Sequence, residues 1–463
     1  MPSVDKSIFR EYDIRGIAET QLNNEASELI GKAFGTKVKR EGINSVCVGA
    51  DNRLSSPRIK KAFIEGILSI GVNVTDIGIV PTPLLYYSII KLGKGAGANV
   101  TASHNPKEFN GFKLSRGFLA FYGQEITDLY DLIQKNDFEK GKAKGILEKK
   151  DLFSDYLNEF TSRFNFSDDL RIAVDCGNGT GSETAKTVFN ALNINAEFLF
   201  CESDGSFPNH VPDPVVEKNM KSLIEKAKKE KFDLGIGFDG DMDRIGVVDS
   251  KGRMVFGDQL LALYARDLLS RKPKEKIIFE VKCSQALIED IEKHGGIPLM
   301  HKTGHSLIKK KMDEENSLLA GEMSGHMFFR ENWFGFDDGL YAACKLIEII
   351  SCSKNSFDEL IDSIPKFVSS PEIRVNCPDE KKFRLVESIK QEFLKTHKCI
   401  TVDGVRVLFP EGWGLLRASN TQPKIILRFE AKTKNGLEKI KNVFEKKLTE
   451  YGFTDLSELK SNN

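Results

Sequence analysis

GAGANVTASHNPKEFNGFKLSR, residues 95–116, reads as a strand, a polar loop and a hairpin, and the rest of the chain is understood from it. Gly95 to Val100 is an apolar run of small residues, as suits a buried strand. TASHNP follows at 101–106, and Asn110-Gly111 is a strong turn signal. Ser103 therefore falls on a tight loop at a strand end, with the His104 imidazole beside it and the Lys113 ammonium ten residues on. Asn105-Pro106 fixes the backbone just after it, because proline pushes the preceding residue out of the helical region. Such surroundings suit a hydroxyl that carries a phosphoryl group. Taken alone, the hexapeptide is more simply a solvent-exposed turn, since Ser, His, Asn and Pro are common turn residues.

Two further loops reverse that balance, because the strand–loop–hairpin order occurs three times. In the first stretch Ser45–Ala50 opens, Gly71–Ile79 follows, and Ala96–Thr101 runs into TASHNP. In the second, Arg171–Asp175 opens, Ala196–Cys201 follows, and Asp233–Phe238 runs into DGDMDR at 239–244. In the third, Lys276–Lys282 opens, Ile297–His301 follows, and Ser317–Ala320 runs into GEMSGH at 321–326. Strands alternating with helical stretches imply α/β units with mixed sheets. Ligands of open α/β sheets gather at the carboxyl ends of strands, so three polar loops in register imply one shared site.

From about Phe367 the pattern changes. Ser369-Ser370-Pro371 reads as a linker, Asp379–Leu394 as an amphipathic helix, Lys424–Phe429 as an apolar strand and Gly436–Tyr451 as a final helix. The expected division is 1–150, 151–254, 255–366 and a smaller α+β domain at 367–463, with a frayed end at Ser461-Asn462-Asn463. The length allows for several domains. Sixty-seven basic and sixty-seven acidic residues leave no formal net charge, so no global field draws the chain to nucleic acid or an anionic membrane. No stretch approaches the roughly 18 apolar residues of a membrane span, and the first residues do not resemble a signal peptide. The eight cysteines form no C-x-x-C, and most lie in apolar contexts where free thiols act as small hydrophobes. A reducing cytoplasm is the simplest home.

Each loop carries its own chemistry. Asp239, Asp241 and Asp243 are like charges at alternate positions, and each prefers to be protonated unless a cation lies between them. Mg²⁺ binds few carboxylates plus a phosphate, and a phosphoryl oxygen on Ser103 would complete the set. A solvated acidic turn or a Ca²⁺ loop are the other readings; no glutamate at the EF-hand spacing follows, which weakens the second. Glu322, Ser324 and His326 can accept from and donate to vicinal sugar hydroxyls, or form a polar turn. Arg417, Ser419, Asn420 and Thr421 supply a guanidinium, hydroxyls, an amide and backbone N–H groups, a cradle for a phosphate dianion. Arg428 would join that cradle or pair with an acidic surface residue.

Together these motifs resemble the α-D-phosphohexomutase superfamily, and within it the bacterial phosphomannomutase/phosphoglucomutase group. The resemblance runs from REYDIRG at 10–16 through PTP at 81–83, TASHNP, NGFK at 110–113, DGDMDR, KTGHS at 302–306, GEMSGH and RASNTQP at 417–423 to RFEA at 428–431. It implies a heart-shaped enzyme with a central cleft, built of three related α/β domains and a flexible fourth. By the resemblance Ser103 is the phosphoserine, and Asp239, Asp241 and Asp243 with Ser103 hold Mg²⁺. Glu322 and Ser324 read sugar hydroxyls, and Arg417, Ser419, Asn420 and Thr421, with Arg428, grip the non-transferring phosphate. Tyr12, Lys282 and His305 are further substrate contacts. Arg15, His104, Lys113, Arg244 and His326 surround the transferring group, Lys113 and His326 being the two candidates for proton transfer.

The implied activity is reversible phosphoryl transfer between the 1- and 6-positions of mannose or glucose phosphates, with a hexose 1,6-bisphosphate as intermediate and activator, by a cytoplasmic monomer. Met242 stands where glycine is common in the family, between the ligands, where its side chain can point outward. Met323 replaces the glutamine of bacterial phosphoglucosamine mutases, tipping the reading toward mannose and glucose phosphates over the glucosamine alternative. The rivals are a phosphatase built from the same parts and a sugar-phosphate-binding protein without chemistry.

Overall fold

The structure, a computed structural model, describes residues 4–166, 170–420, 422–453, 456 and 459. Thr421 and the expected frayed end at 461–463 lie outside the described residues.

The three repeats fold into three sheets with one strand order. In the first, Asn73–Ile79, Ser45–Ala50, Ala96–Val100 and Phe109–Arg116 lie side by side, the first three parallel and the last antiparallel. In the second, Ala196–Leu199, Ile172–Asp175, Leu234–Phe238 and Ile245–Asp249 repeat that order and sense. In the third it is Ile297–His301, Lys276–Glu280, Leu319–Gly321 and Met327–Phe329. The loop joining the last two strands of each set leaves the carboxyl end of a central parallel strand. These are the loops bearing Ser103, the aspartates and Glu322.

Small residues let the layers approach. Helices Asn24–Arg40 and Ser56–Ser69 cross where Gly31 and Gly66 face the partner's backbone: a Cβ on either would lie 2.2 Å from a carbonyl oxygen, Phe63 and Glu28 respectively. No side chain can move aside there, because the obstacle is main chain. Gly66→Val should therefore destabilise the first unit by about 3 kcal/mol. Urea unfolding followed by circular dichroism checks this, and an unchanged midpoint would mean that the helices separate at little cost.

One apolar cluster runs through the second and third units and takes in helix Thr82–Lys91 of the first. Tyr86, Tyr87, Tyr156, Phe160, Trp333, Phe336 and Tyr341 form its aromatic centre. The fourth unit is an antiparallel sheet of Val368–Ser369, Ile373–Asn376, Lys424–Ala431, Gly412–Ala418, Val405–Phe409 and Cys399–Ile400, with helices Asp379–Leu394 and Lys434–Glu450 and a core of its own.

Three details differ from the sequence reading. Ser369-Ser370-Pro371 is not a free linker: Ser369 pairs with Glu430, and Ser370 exchanges backbone and side-chain hydrogen bonds with Phe429. Strand Met254–Val255 completes the second sheet, so the boundary expected at 254 divides a strand. Cys176 and Cys201 are joined in a disulfide, their Cα atoms 5.0 Å apart, rather than being free thiols like the other six. They follow parallel neighbouring strands, so residues 25 apart in sequence meet at one sheet end.

Candidate active site

Ser103 sits on its loop with φ 48°, a left-handed conformation that turns the chain sharply. Its Oγ donates to Asp239 Oδ2 at 2.7 Å and lies 3.0 Å from His104 Nδ1, so the first and second units meet at this hydroxyl. Gly240 permits the approach, since a Cβ there would lie 2.5 Å from the Ser103 carbonyl oxygen.

The residue that shapes this loop was not singled out from the sequence. Arg53, fully buried, donates to the carbonyls of Ser103 (2.7 Å), Asn105 (2.6 Å), Pro106 (2.7 Å) and Phe109 (3.1 Å), while its Nε donates to Asp51 at 3.0 Å. A planar fork with five donors satisfies four carbonyls and a carboxylate at once, and a lysine cannot. Arg53→Lys should lower kcat on the order of 10²-fold, the usual cost of a misplaced reacting group, with the substrate KM nearly unchanged. Steady-state kinetics with a circular dichroism control checks the split; an unaltered kcat would show that the loop holds its shape without the guanidinium.

Asp239, Asp241 and Asp243 are all buried, and one oxygen from each lies within 4.8 Å of the others. Asp241 Oδ2 accepts from Lys113 Nζ at 2.7 Å and from Thr82 Oγ1 at 2.6 Å, and Lys113 also donates to Asp243 Oδ2. Arg244 donates from Nε to Asp239 Oδ2 at 3.1 Å. Burial, then repulsion from Asp243 and Asp241, pushes the Asp239 carboxyl up to about 7 against the pull of Arg244. Asp241 Oδ1 and Asp243 Oδ1 are buried without hydrogen-bond partners among the described residues. A carboxylate set this concentrated, with free oxygens and one member driven toward neutrality, is suited to a hard divalent cation. Thr82, within the PTP motif, was the second residue missed; its N–H also donates to the Asp241 carbonyl at 2.9 Å.

Basic groups ring the same spot. Burial opposes the charge on Lys113, but Asp241, Asp243 and Asp239 outweigh it and hold the ammonium charged. Burial and then Arg244 drive His104 well down, so its imidazole is neutral. Arg15 donates to Asn105 Oδ1 at 2.8 Å and pairs with Asp13. Arg15 Nε and Arg244 Nη2 are buried donors without acceptors among the described residues, as fits an anion-binding site.

The third unit closes the other side. His326 Nδ1 lies 2.8 Å from Ser324 Oγ and 3.4 Å from Glu322 Oε2, and Glu322 Oε1 accepts from the Gly304 N–H at 2.7 Å. Burial lowers the His326 pKa, but Asp243 and then Glu322 raise it to about 9. Tyr12 Oη donates to the Thr303 carbonyl at 2.7 Å and accepts from Asn420 at 2.6 Å, joining the first, third and fourth units. Lys282 faces Glu372 at 3.0 Å and Glu280 at 3.5 Å. Arg417 is buried against Asp403, its Nε donating at 2.8 Å, and Ser419 Oγ accepts from the Gln422 N–H at 3.1 Å.

One of the two readings of Arg428 and the expectation for Met242 are corrected. Arg428 is not paired with a surface acid; it donates to the Lys282 carbonyl at 2.7 Å and lies 3.9 Å from the buried Asp258, fastening the fourth unit to the third. Met242, with φ 60°, does not point outward. It is buried against Gly181, where a Cβ would lie 2.3 Å from its Cε.

Comparisons with known proteins agree with this arrangement. Residues 6–140, 153–252 and 256–367 match the phosphoglucomutase/phosphomannomutase alpha/beta/alpha domains I, II and III, and 372–447 match the C-terminal domain of the same family. The chain is 45% identical over 448 residues, 96% of either chain, to a phosphomannomutase/phosphoglucomutase of Pseudomonas aeruginosa. It is 41% identical to a phosphoglucomutase of Neisseria gonorrhoeae, covering 96% of this chain and 97% of that one. A solved phosphoglucomutase/phosphomannomutase family protein of Burkholderia thailandensis superposes with a TM-score of 0.91 at 38% identity, covering 96% and 98%. The chain belongs to the phosphoglucomutase/phosphomannomutase family, hexose-phosphate mutases of the isomerase class.

Proposed function

We propose that this enzyme moves a phosphoryl group reversibly between the 1- and 6-positions of mannose and glucose phosphates, through phosphorylated Ser103 and a hexose 1,6-bisphosphate that turns end for end in the cleft. The observation that carries the proposal is the buried Ser103 Oγ, 2.7 Å from Asp239, where loops of two units meet amid Lys113, Arg244 and Arg15. Asp239, Asp241 and Asp243 would hold Mg²⁺, consistent with the two unpartnered carboxylate oxygens. When bound, the ion supplies charge neutralisation at the transferring phosphoryl group.

The chain's residues do the rest. A phosphoserine carries roughly −1.5 to −2 charges at neutral pH, and Arg15, Arg244 and Lys113 offset that charge. The sugar hydroxyl oxygen forms a bond to phosphorus as the Ser103 Oγ–P bond breaks; Oγ keeps the electron pair and takes a proton, and the sugar hydroxyl gives its proton up. Lys113 and His326, both beside Asp243, are the groups placed to pass those protons. Glu322 and Ser324 take sugar hydroxyls, while Arg417, Ser419, Asn420 and Thr421 hold the phosphate that is not moving. Tyr12, Lys282 and His305 would make further substrate contacts. In the second half-reaction the other phosphate returns to Ser103. Closure of the fourth unit excludes water, which separates a mutase from a phosphatase.

With Mg²⁺ and a trace of glucose 1,6-bisphosphate, mannose 1-phosphate and glucose 1-phosphate should both isomerise, and glucosamine 1-phosphate should have the lowest kcat/KM. Preference for the glucosamine substrate would assign the alternative mutase. Free phosphate with no isomerised sugar would make the enzyme a phosphatase.

A further inference from the structure

Residues 202–220 of the second unit carry none of the loop motifs, yet they pack against the reacting centre. They run between strand Ala196–Leu199 and helix Lys221–Glu230, and a single bridge from Gly205 to Arg53 ties them to the first unit. The Phe207 ring lies 5.0 Å from the guanidinium carbon of the same arginine. Further along, His210 Nε2 lies 3.1 and 3.2 Å from the two oxygens of the buried Asp175 carboxylate, and Asn209 donates to Asn178 Oδ1 at 2.8 Å. These contacts clasp the segment to the end of strand Ile172–Asp175 and the turn after it.

Past that clasp the chain reads Pro212-Asp213-Pro214, with both prolines buried. A Cβ on Gly240 would lie 3.2 Å from Pro212 Cγ, and one on Gly246 would lie 2.2 Å from the Pro214 carbonyl oxygen. Pro212 therefore rests on the aspartate loop and Pro214 on the strand that follows it. Proline fixes its own φ and keeps the residue before it extended, so Asp213 has little freedom between the two. Its Oδ1 accepts from Arg244 Nη1 at 3.4 Å. The buried guanidinium of Arg244 is thus held at two nitrogens, Nε by Asp239 and Nη1 by Asp213, while Nη2 is the donor left without an acceptor among the described residues. A planar fork fixed at two of its nitrogens has its third aimed as well. Asp239 also accepts from Ser103 Oγ and is a proposed cation ligand, whereas the Asp213 side chain bonds to Arg244 alone among the described residues.

We propose that Asp213 is a positioning residue for the phosphoryl transfer: it holds Arg244 Nη1 so that Nη2 is presented to the transferring phosphoryl group. The inference rests on the proposed role of Arg244 in offsetting the charge of that group. Asp213 touches neither the sugar nor the phosphate in this scheme and acts through Arg244 alone. Supporting carboxylates of this kind fix the direction of a charged group before the reaction begins, which is when electrostatic stabilisation has to be in place.

Steady-state kinetics of Asp213→Ala, Asp213→Asn, Arg244→Ala and the Asp213→Ala/Arg244→Ala double variant, with circular dichroism controls, test it. Asp213→Ala should lower kcat about 10- to 100-fold, the cost of losing a supporting partner or misplacing a reacting group. The KM for the sugar phosphate should change less than about threefold, because the contact serves the transferring group and not the binding of the sugar. Asp213→Asn keeps an oxygen acceptor without the charge and should fall between wild type and Asp213→Ala. In the Arg244→Ala background, Asp213→Ala should cost less than about threefold, since its partner is already gone. Losses that simply add would make Asp213 a support for its own loop and overturn the inference, as would an unchanged kcat in Asp213→Ala. If Asp213→Ala fails to fold, Asp213→Asn carries the same comparison in both backgrounds. Normal turnover by Arg244→Ala would instead remove the role of Arg244, and the inference with it.

Discussion

Ser103→Ala loses mutase turnover on the order of 10⁴-fold or more, the scale of removing a covalent nucleophile, while the fold survives. Among the described residues, the side-chain hydrogen bonds removed are those of Oγ with Asp239 Oδ2 and His104 Nδ1. The loop does not depend on them: Arg53 holds its carbonyls, and the Ser103 N–H donates to Thr101 Oγ1 at 2.9 Å. Alanine meets the same left-handed backbone that serine does, so the substitution adds no new conformational cost. Intact-mass measurement of active wild type should show one added phosphate mapping to Ser103, and none in the variant. Near-normal turnover by Ser103→Ala would require a different phosphoryl carrier.

Removing the metal should be as severe. Chelator-treated enzyme should show no measurable turnover, and added Mg²⁺ should restore it. Asp241→Asn should weaken Mg²⁺ binding at least about 100-fold, since even loss of a group that merely supports a ligand costs 10–100-fold. The same change also weakens the partner of Lys113 Nζ and Thr82 Oγ1, so kcat should stay low even at saturating Mg²⁺. Calorimetric titration and turnover measured across Mg²⁺ concentrations separate the two effects. If metal-free protein isomerises its substrate normally, the aspartates serve some other purpose.

What could be read from the sequence was local. TASHNP, DGDMDR and GEMSGH each carry their chemistry within a few residues and follow a strand, so the threefold repeat and its shared site were visible before any coordinates. What escaped depends on chain segments distant in sequence. Arg53 serves carbonyls about fifty residues away, and nothing in Asp51-Asn52-Arg53 announces them. Thr82 lies in a quoted motif, yet its role needs Asp241 beside it. The Cys176–Cys201 bond follows from two parallel strands being neighbours. Met242 was expected outward because it alternates with ligands, but a left-handed residue breaks that alternation. Ser369-Ser370-Pro371 has linker composition but is captured by the backbone of Phe429 and Glu430.

The apolar cluster shared by the second and third units governs how the protein comes apart on heating. Leu84, Leu85, Tyr86, Tyr87 and Ile89 of the first unit are built into that cluster as well. The first unit has a further core of its own, yet none of the three units can melt alone without exposing apolar surface of another. The fourth unit has its own core and meets the third through a small patch of Val281, Trp413 and Leu415 with polar contacts around it. It is the part able to open without disturbing the rest. Ser103 and the aspartates therefore ride on the last portion of the molecule to unfold, and Arg417 on the first.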